Sequence, residues 1–316
     1  MKMTTIIKKW LLRMGILILA ELLLAGMVFT LPGCNDAGSH SDGRIKIATD
    51  IFPIADFCRN VGGDLVEVES MVPAGSNPHT YEITTRQMRY LSEADMLVVN
   101  GLELAPWVDD VFESVYNPDL VEVVAGEAVP TNQLMAEQEE GDSEVYDPHV
   151  WLDPILAVYM IDSIRDGLAA TDPKHESSYR RNAEDYITQL LDLDVLIADM
   201  IAQFSSKKFI AFHPSWTYFA RRYGLDQVGV IEEQPGKEPS AGWIAGLIDA
   251  TRNEGVRAVF SEPQFSSRAA EAIAEEAGPG VALKMLDPMG DPANPQMNSY
   301  MAFMKHDVEV MREALK

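Results

Sequence analysis

Positive charge and cysteine are both scarce in this sequence of 316 residues. It contains 25 lysines and arginines against 49 aspartates and glutamates, which gives a formal net charge of −24. Residues 1–33 hold four basic residues and one acidic residue, so the rest of the chain carries −27. A surface this acidic repels nucleic acid and anionic lipid, which excludes both as ligands. Hydrophobic residues make up 47%, as in a folded globular protein.

The N-terminus has the pattern of a targeting segment. Basic residues precede an apolar run, Met14–Leu31, that ends at Gly33-Cys34. A small residue before cysteine at this place resembles the lipobox of bacterial lipoproteins. We therefore predict a signal peptide at 1–33, a lipid on Cys34 and a polar tether at 34–43; an uncleaved transmembrane anchor is the alternative. Either places the bulk of the chain on the outer side of the cytoplasmic membrane, in the periplasmic space of a Gram-negative cell. Cys58 is the second and last cysteine, so the folded part has no internal disulfide.

Short β-branched runs alternate with helical patterns in both halves of the sequence. This alternation predicts parallel βα units, and its repetition predicts an α/β fold of two similar lobes with mostly parallel sheets. The predicted strands are Ile45–Ala48, Val66–Val72, Met96–Val99 and Leu120–Val124, then Phe209–Phe212, Gln227–Ile231, Ala258–Phe260 and Val281–Met285.

One long helical stretch separates the two halves. From Pro173 to Ser205, apolar residues recur every three or four positions and form a single stripe. A helix of this length spans about 50 Å, more than the diameter of a small domain. We predict that it joins an N-terminal lobe, 44–171, to a C-terminal lobe, 207–316, as a connecting segment over 172–206.

Three of the six histidines share an unusual context. His79, His149 and His213 each adjoin a proline, and two of them follow predicted strands closely. Asp287 comes just after the last predicted strand and is also followed by proline. Ligands of open α/β sheets bind at the carboxyl ends of the strands, so these side chains form a candidate metal site.

The simpler interpretations differ from residue to residue. An isolated loop histidine is more often a surface residue than a ligand, and an Asp-Pro pair such as Asp287-Pro288 is more often a turn. His40, His175 and His306 have no comparable placement, and we assign them no metal.

From about Arg44 to its end, the chain resembles the cluster A-I solute-binding lipoproteins, the zinc and manganese receptors of ABC importers. The resemblance implies a metal ion in the cleft between two lobes, with His79, His149, His213 and Asp287 as its ligands and the long helix as a rigid connector. The matching segments are Pro73-Ala74-Gly75-Ser76-Asn77-Pro78-His79-Thr80-Tyr81-Glu82, Asp147-Pro148-His149-Val150-Trp151-Leu152-Asp153-Pro154, Phe212-His213-Pro214, Tyr218-Phe219, Tyr223-Gly224-Leu225, Ser261-Glu262-Pro263-Gln264-Phe265 and Leu286-Asp287-Pro288.

The resulting prediction is a monomeric, lipid-anchored receptor, not an enzyme, that passes Zn²⁺ to the permease and ATPase of an ABC importer. Three imidazoles and one carboxylate suit zinc better than manganese, although Mn²⁺ remains possible. Asp147, Asp153 and Glu262 are candidates for orienting the ligands. Some zinc receptors of the family carry a histidine-rich loop, but residues 131–146 contain no histidine here. The alternatives are a surface adhesin of the same family and a zinc hydrolase with three histidine ligands.

Overall fold

The computed structural model describes residues 43–115, 117–136, 145–234 and 236–316, which belong to one compact unit. The predicted signal peptide (1–33), Cys34, His40, the tether up to residue 42 and the acidic stretch 137–144 lie outside the described residues.

The first lobe is a parallel sheet of four strands with helices between them. The strands follow the order β2-β1-β3-β4, so β1 and β3 are its two central strands. The elements of this lobe are β1 (Ile45–Thr49), α1 (Phe52–Gly62), β2 (Val66–Ser70), α2 (Thr85–Ser92), β3 (Met96–Val99), α3 (Trp107–Ser114), β4 (Val121–Val124) and α4 (Pro154–Thr171).

The second lobe repeats this topology. Its four parallel strands follow the order β6-β5-β7-β8, with β5 and β7 at the centre. Its elements are β5 (Lys208–Ala211), α6 (Thr217–Tyr223), β6 (Asp226–Val230), α7 (Ala241–Glu254), β7 (Ala258–Ser261), α8 (Arg268–Ala277), β8 (Ala282–Met285) and α9 (Tyr300–Leu315), and the connecting helix before it is α5 (Glu176–Ile201). The two sheets confirm the predicted α/β fold of two similar lobes.

The connecting helix is shorter than predicted. Residues 173–175 form a 3₁₀ turn, and the α-helix that follows ends at Ile201, so the prediction of one helix from Pro173 to Ser205 is wrong at both ends. Its 26 residues span about 39 Å. The helix packs against α1 and α4 of the first lobe and against α9 of the second, and apolar residues every three or four positions from Tyr179 to Ile201 are buried along one face. It therefore contacts both lobes along one face.

Two helices have no sequence prediction. Helix α4 is capped by Asp153, whose carboxylate accepts the N–H groups of Ile155 and Leu156. Its first two turns, Ile155–Ile161, are apolar on nearly all sides, which hides the helical period from a pattern search. Helix α6 has only seven residues, too few to show a period, and ends at Gly224, which adopts a left-handed conformation with φ of 65°.

The apolar core continues from the first lobe across the connecting helix into the second, and a smaller cluster lies on the far side of the second sheet. Within the ranges that the structure describes, no helix is both long and apolar enough to cross a lipid bilayer.

Candidate metal centre

Three imidazoles from distant parts of the sequence meet where the two lobes join. One ring nitrogen of each of His79, His149 and His213 lies within 4.8 Å of the corresponding nitrogens of the other two. The ring centroids are 5.0 to 6.1 Å apart. His149 and His213 are buried, whereas His79 is half-buried. The structure thus brings together the three histidines that the sequence singled out.

His213 and Glu262 lie at the switch point of the second sheet, where neighbouring strands lead to opposite sides. His213 comes two residues after β5 and Glu262 directly after β7. Oε2 of Glu262 is 2.7 Å from Nδ1 of His213, the distance of an ion pair when the ring is protonated. Burial by itself lowers the pKa of His213, but nearby carboxylates, Glu262 foremost, raise it above the ordinary value of 6.5.

His149 and the proline before it are held by two polar residues of the first lobe. Oδ1 of Asp147 accepts the backbone N–H of His149 at 2.9 Å and contacts its Nδ1 at 2.7 Å. Asn100 directly follows β3 and donates from Nδ2 to the carbonyl of Pro148 at 2.9 Å, while its own backbone N–H is held by Asp50 after β1. Since burial lowers the pKa of His149 more than Asp147 raises it, the ring is neutral at neutral pH.

His79 lies in the loop that follows β2. Oδ1 of Asn77 accepts its backbone N–H at 3.0 Å, which fixes the chain just before the ring. Its Nε2 is buried and has no hydrogen-bond partner among the described atoms. Burial, reinforced by the charges of His149 and His213, lowers the pKa of His79 to about 2. A buried nitrogen lone pair without a partner is what a metal ion requires of a ligand.

The distance between the buried imidazoles fits a small ion. Nε2 of His149 and Nε2 of His213 face each other at 3.3 Å, and in each ring Nδ1 is next to a carboxylate. Two nitrogens about 2.0–2.1 Å from a tetrahedral zinc ion are separated by about 3.3–3.4 Å, so this pair already has the spacing of two zinc ligands. Carboxylates on the far nitrogens hold each ring with Nε2 towards the cluster.

Asp287 is close to the cluster but outside it. In the described part of the chain, the group of ligand atoms within 4.8 Å of one another contains the three imidazole nitrogens and no oxygen of Asp287. The sequence predicts Asp287 as the fourth ligand, so the structure does not place it with the other three. Oδ1 instead accepts Nε2–H of Gln264 and the backbone N–H of Met289, both at 3.1 Å. Burial raises the pKa of Asp287 above its ordinary value, and these donors partly oppose the shift.

Two cavities adjoin the imidazole cluster. One of about 150 Å³ is lined by all three histidines and by the acidic residues Glu103 and Glu233. The other, of about 10 Å³, is lined by His149 and His213 among others and is about the size of one water. The wider, acidic cavity offers a cation a route to the rings.

Comparison with known proteins decides the family. The family model described as "Zinc-uptake complex component A periplasmic" matches residues 47–314, almost the whole described chain. The chain belongs to the zinc-uptake component A family. This confirms the resemblance found in the sequence.

Individual members of the zinc-uptake component A family are similar over most of this chain. The zinc-binding lipoprotein AdcA of Streptococcus pneumoniae (strain ATCC BAA-255 / R6) is 29% identical over 93% of this chain and 60% of its own length. The high-affinity zinc uptake system protein ZnuA of Bacillus subtilis (strain 168) is 26% identical over 98% of each chain. A crystal structure of ZnuA is 32% identical, with a TM-score of 0.76 over 86% of this chain and 100% of the other. The chain therefore spans about three fifths of AdcA but nearly all of the Bacillus protein.

Asp153 was a candidate for orienting a metal ligand, but in this member of the zinc-uptake component A family its contacts are different. Its carboxylate caps α4 and lies 3.4 Å from Nε of Arg222, which also forms a bidentate pair with Asp194 of the connecting helix. None of these contacts involves an imidazole of the described chain. The three residues join the two lobes and their connector.

Several residues that hold the centre in this zinc-uptake component A protein have no functional role predicted for them from the sequence. Trp151 donates from Nε1 to the carbonyl of Pro288 at 2.7 Å, which ties the His149 turn to the loop of Asp287. The hydroxyl of Tyr218 donates to the carbonyl of Asp147 at 2.9 Å. Asn100 has a signal in the sequence, since it directly follows a predicted strand. Trp151 and Tyr218 lie in the segments that match the family, but their hydrogen-bond partners are 137 and 71 residues away, so the sequence does not predict these contacts.

Proposed function

We propose that this protein is an extracytoplasmic receptor that captures Zn²⁺ with His79, His149 and His213 and delivers it to an ABC importer. The observation that carries the proposal is the pair of buried Nε2 atoms 3.3 Å apart, with the unpartnered Nε2 of His79 beside them. Membership of the zinc-uptake component A family and the names of the relatives support zinc as the cargo. Asp287 completes the ligand set in this proposal, and Asp147 and Glu262 orient the rings.

The test of the cargo is a competition between metals on metal-free protein. Three imidazole nitrogens suit zinc, and manganese lies lowest in the affinity order of the common divalent ions. Zinc added to the manganese-loaded protein should displace the ion at far lower concentration than the reverse exchange requires, as followed by the fluorescence of Trp151 and Trp216. Exchange of the two ions at comparable concentrations would contradict zinc as the preferred cargo.

The proposal keeps the lipid anchor and the domain boundaries that the sequence predicts: signal peptide 1–33, tether 34–43, lobes 44–171 and 207–316 and connector 172–206. The receptor would act as a monomer, held by its lipid next to the permease and ATPase that it supplies. Release would follow when docking to the permease separates the ligands of one lobe from those of the other.

Changing Cys34→Ser should abolish lipidation, since lipid transfer to this position requires the thiol. Cells fed a labelled fatty acid should mark the parent protein and not the variant, while both retain zinc binding. A variant that still carries the label would contradict Cys34 as the lipid-bearing residue.

Zinc affinity should fall as the pH is lowered, because a proton then competes with zinc for one imidazole. The low pKa of His79 and the lowered pKa of His149 leave both rings neutral at pH 7, whereas the raised pKa of His213 lets a proton compete for its ring first. As the pH falls below the raised pKa of His213, binding should therefore weaken by about tenfold per unit, the slope for one displaced proton. Isothermal titration across this range measures the slope.

Glu262→Gln provides the matched variant for this prediction. It removes the carboxylate that raises the pKa of His213, so the loss of affinity should begin at a lower pH than in the parent. A parent slope near three, or an unchanged onset in Glu262→Gln, would contradict the assignment of the competing proton to His213.

Neither the hydrolase nor the adhesin is favoured. A hydrolase needs a water on the metal and a base beside it, and in this proposal Asp287 closes the position that such a water would use. Zinc-loaded protein should show no turnover of activated esters beyond that of free zinc. Growth in zinc-depleted medium distinguishes the receptor from an adhesin. Deletion of the gene should reduce this growth if the protein serves transport, and unimpaired growth would argue against transport.

A further inference from the structure

Gln264 lies in the turn after β7 that also provides Glu262. Glu262 contacts the ring of His213, and two residues later the side chain of Gln264 reaches Asp287. One short turn thus touches two of the four predicted ligands. Gln264 and His213 also line the same cavity of about 10 Å³.

Within the part of the chain that the structure describes, Asp287 orients the amide of Gln264. Its Nε2 donates to Oδ1 of Asp287 at 3.1 Å, while its Oε1 is buried and has no partner among the described atoms. The reversed orientation would place the amide oxygen against a carboxylate oxygen, two acceptors facing each other. The side chain therefore contributes an N–H group to Asp287 and leaves its own acceptor unused.

Both acceptor positions of one carboxylate oxygen are occupied by this arrangement. A carboxylate oxygen has two lone pairs, and Oδ1 of Asp287 accepts from Gln264 and from the backbone of Met289 at equal distances. A metal ion at the cluster therefore finds only Oδ2 free of these two donors.

We propose that Gln264 is a specificity-determining residue that limits Asp287 to one metal–oxygen bond. The inference rests on the proposed function. With Gln264 in place, the centre offers three nitrogens and one oxygen, the four-coordinate set that zinc prefers. Without it, Oδ1 regains a lone pair, and Asp287 can bind the metal through both oxygens. This adds a fifth ligand atom, which favours ions that take more ligands and prefer oxygen, such as manganese.

The test compares Gln264→Met with the parent and with Gln227→Met, all in the full chain purified in mild detergent. Methionine has a similar length but no N–H group. Gln227 is a matched control in β6 of the same lobe, because its amide oxygen is also buried and without a partner among the described atoms. The probes are Zn²⁺, Mn²⁺ and Co²⁺ alone.

The preference for zinc over manganese should fall about tenfold in Gln264→Met, the lower end of the usual effect of losing an outer partner of a ligand. Bound Co²⁺ should lose visible absorption intensity, since five-coordinate cobalt absorbs more weakly than tetrahedral cobalt. Gln227→Met should match the parent in both measurements. Gln264→Ala gives the same test if the methionine variant melts below the parent.

The outcomes separate this inference from the proposed function. A parent that binds zinc, with the same metal preference and cobalt spectrum in both Gln264 variants, would overturn the inference alone. A parent that binds no zinc would overturn the proposed function and the inference with it.

Discussion

Replacing His213 by alanine should weaken zinc binding by at least about a hundredfold, the upper end of what losing an outer partner alone costs. The imidazole supplies one of the two nitrogens that already have zinc spacing, and its loss leaves a ligand set without the second lobe's histidine. The change also removes the ring that Glu262 contacts. The carboxylate of Glu262 is almost fully buried, so it would lose its partner in a place that water does not reach. The measurement is a titration against a chelator of known zinc affinity.

His175→Ala and His306→Ala are the matched controls for His213→Ala. His175 contacts Asp172 beside the 3₁₀ turn, and His306 is half-buried in α9, so neither is in the imidazole cluster. Both variants should bind zinc like the parent and gain the same rise in melting temperature, because zinc binds only the folded state. Parent-like affinity in His213→Ala would contradict the cluster as the binding site.

Asp56→Ala should lower the free energy of unfolding by about 2–6 kcal/mol, because it leaves two buried donors unpaired at about 1–3 kcal/mol each. Asp56 lies on α1, and its Oδ2 accepts the backbone N–H of Tyr300 at 2.9 Å and the hydroxyl of Tyr186 at 3.2 Å. Tyr300 begins α9 in the second lobe and Tyr186 lies on the connecting helix. One carboxylate thus joins both lobes and their connector.

Urea denaturation of metal-free protein measures this effect, with Asp199→Ala as the control. Asp199 is on the exposed face of the connecting helix, where such a change typically alters stability by less than about 0.5 kcal/mol. The midpoint for Asp56→Ala should fall at an unchanged slope. Equal midpoints for the two variants would show that Asp56 does not join the lobes.

The sequence was sufficient to predict the strands and the three histidines, because both leave local signals. Strand β3 has the bounds predicted for it, Met96–Val99, since an apolar run is bounded by a polar residue on each side. The histidines stood out because each adjoins a proline at a turn. Parallel strands then bring such turns to one edge of each sheet, which is why separate local signals converge on one site.

What the sequence could not predict depends on contacts between distant residues. Asp153 was a candidate for orienting an imidazole because it is near His149 in sequence, yet it caps α4 and faces Arg222, 69 residues later. The hydrogen bond from Gln264 to Asp287 depends on the packing of two loops that follow different strands. The apolar start of α4 hid its period because the helix is packed against the connector, α1 and a 3₁₀ turn, Val150–Leu152, that precedes it.

The most direct test of the central claim is a crystal structure of the natively purified protein, measured on both sides of the zinc absorption edge. The account predicts an anomalous peak present only above that edge, about 2.0–2.1 Å from Nε2 of His149 and Nε2 of His213, with a nitrogen of His79 at the same distance. A zinc peak elsewhere in the protein, or none at these rings in a sample that contains zinc, would contradict it.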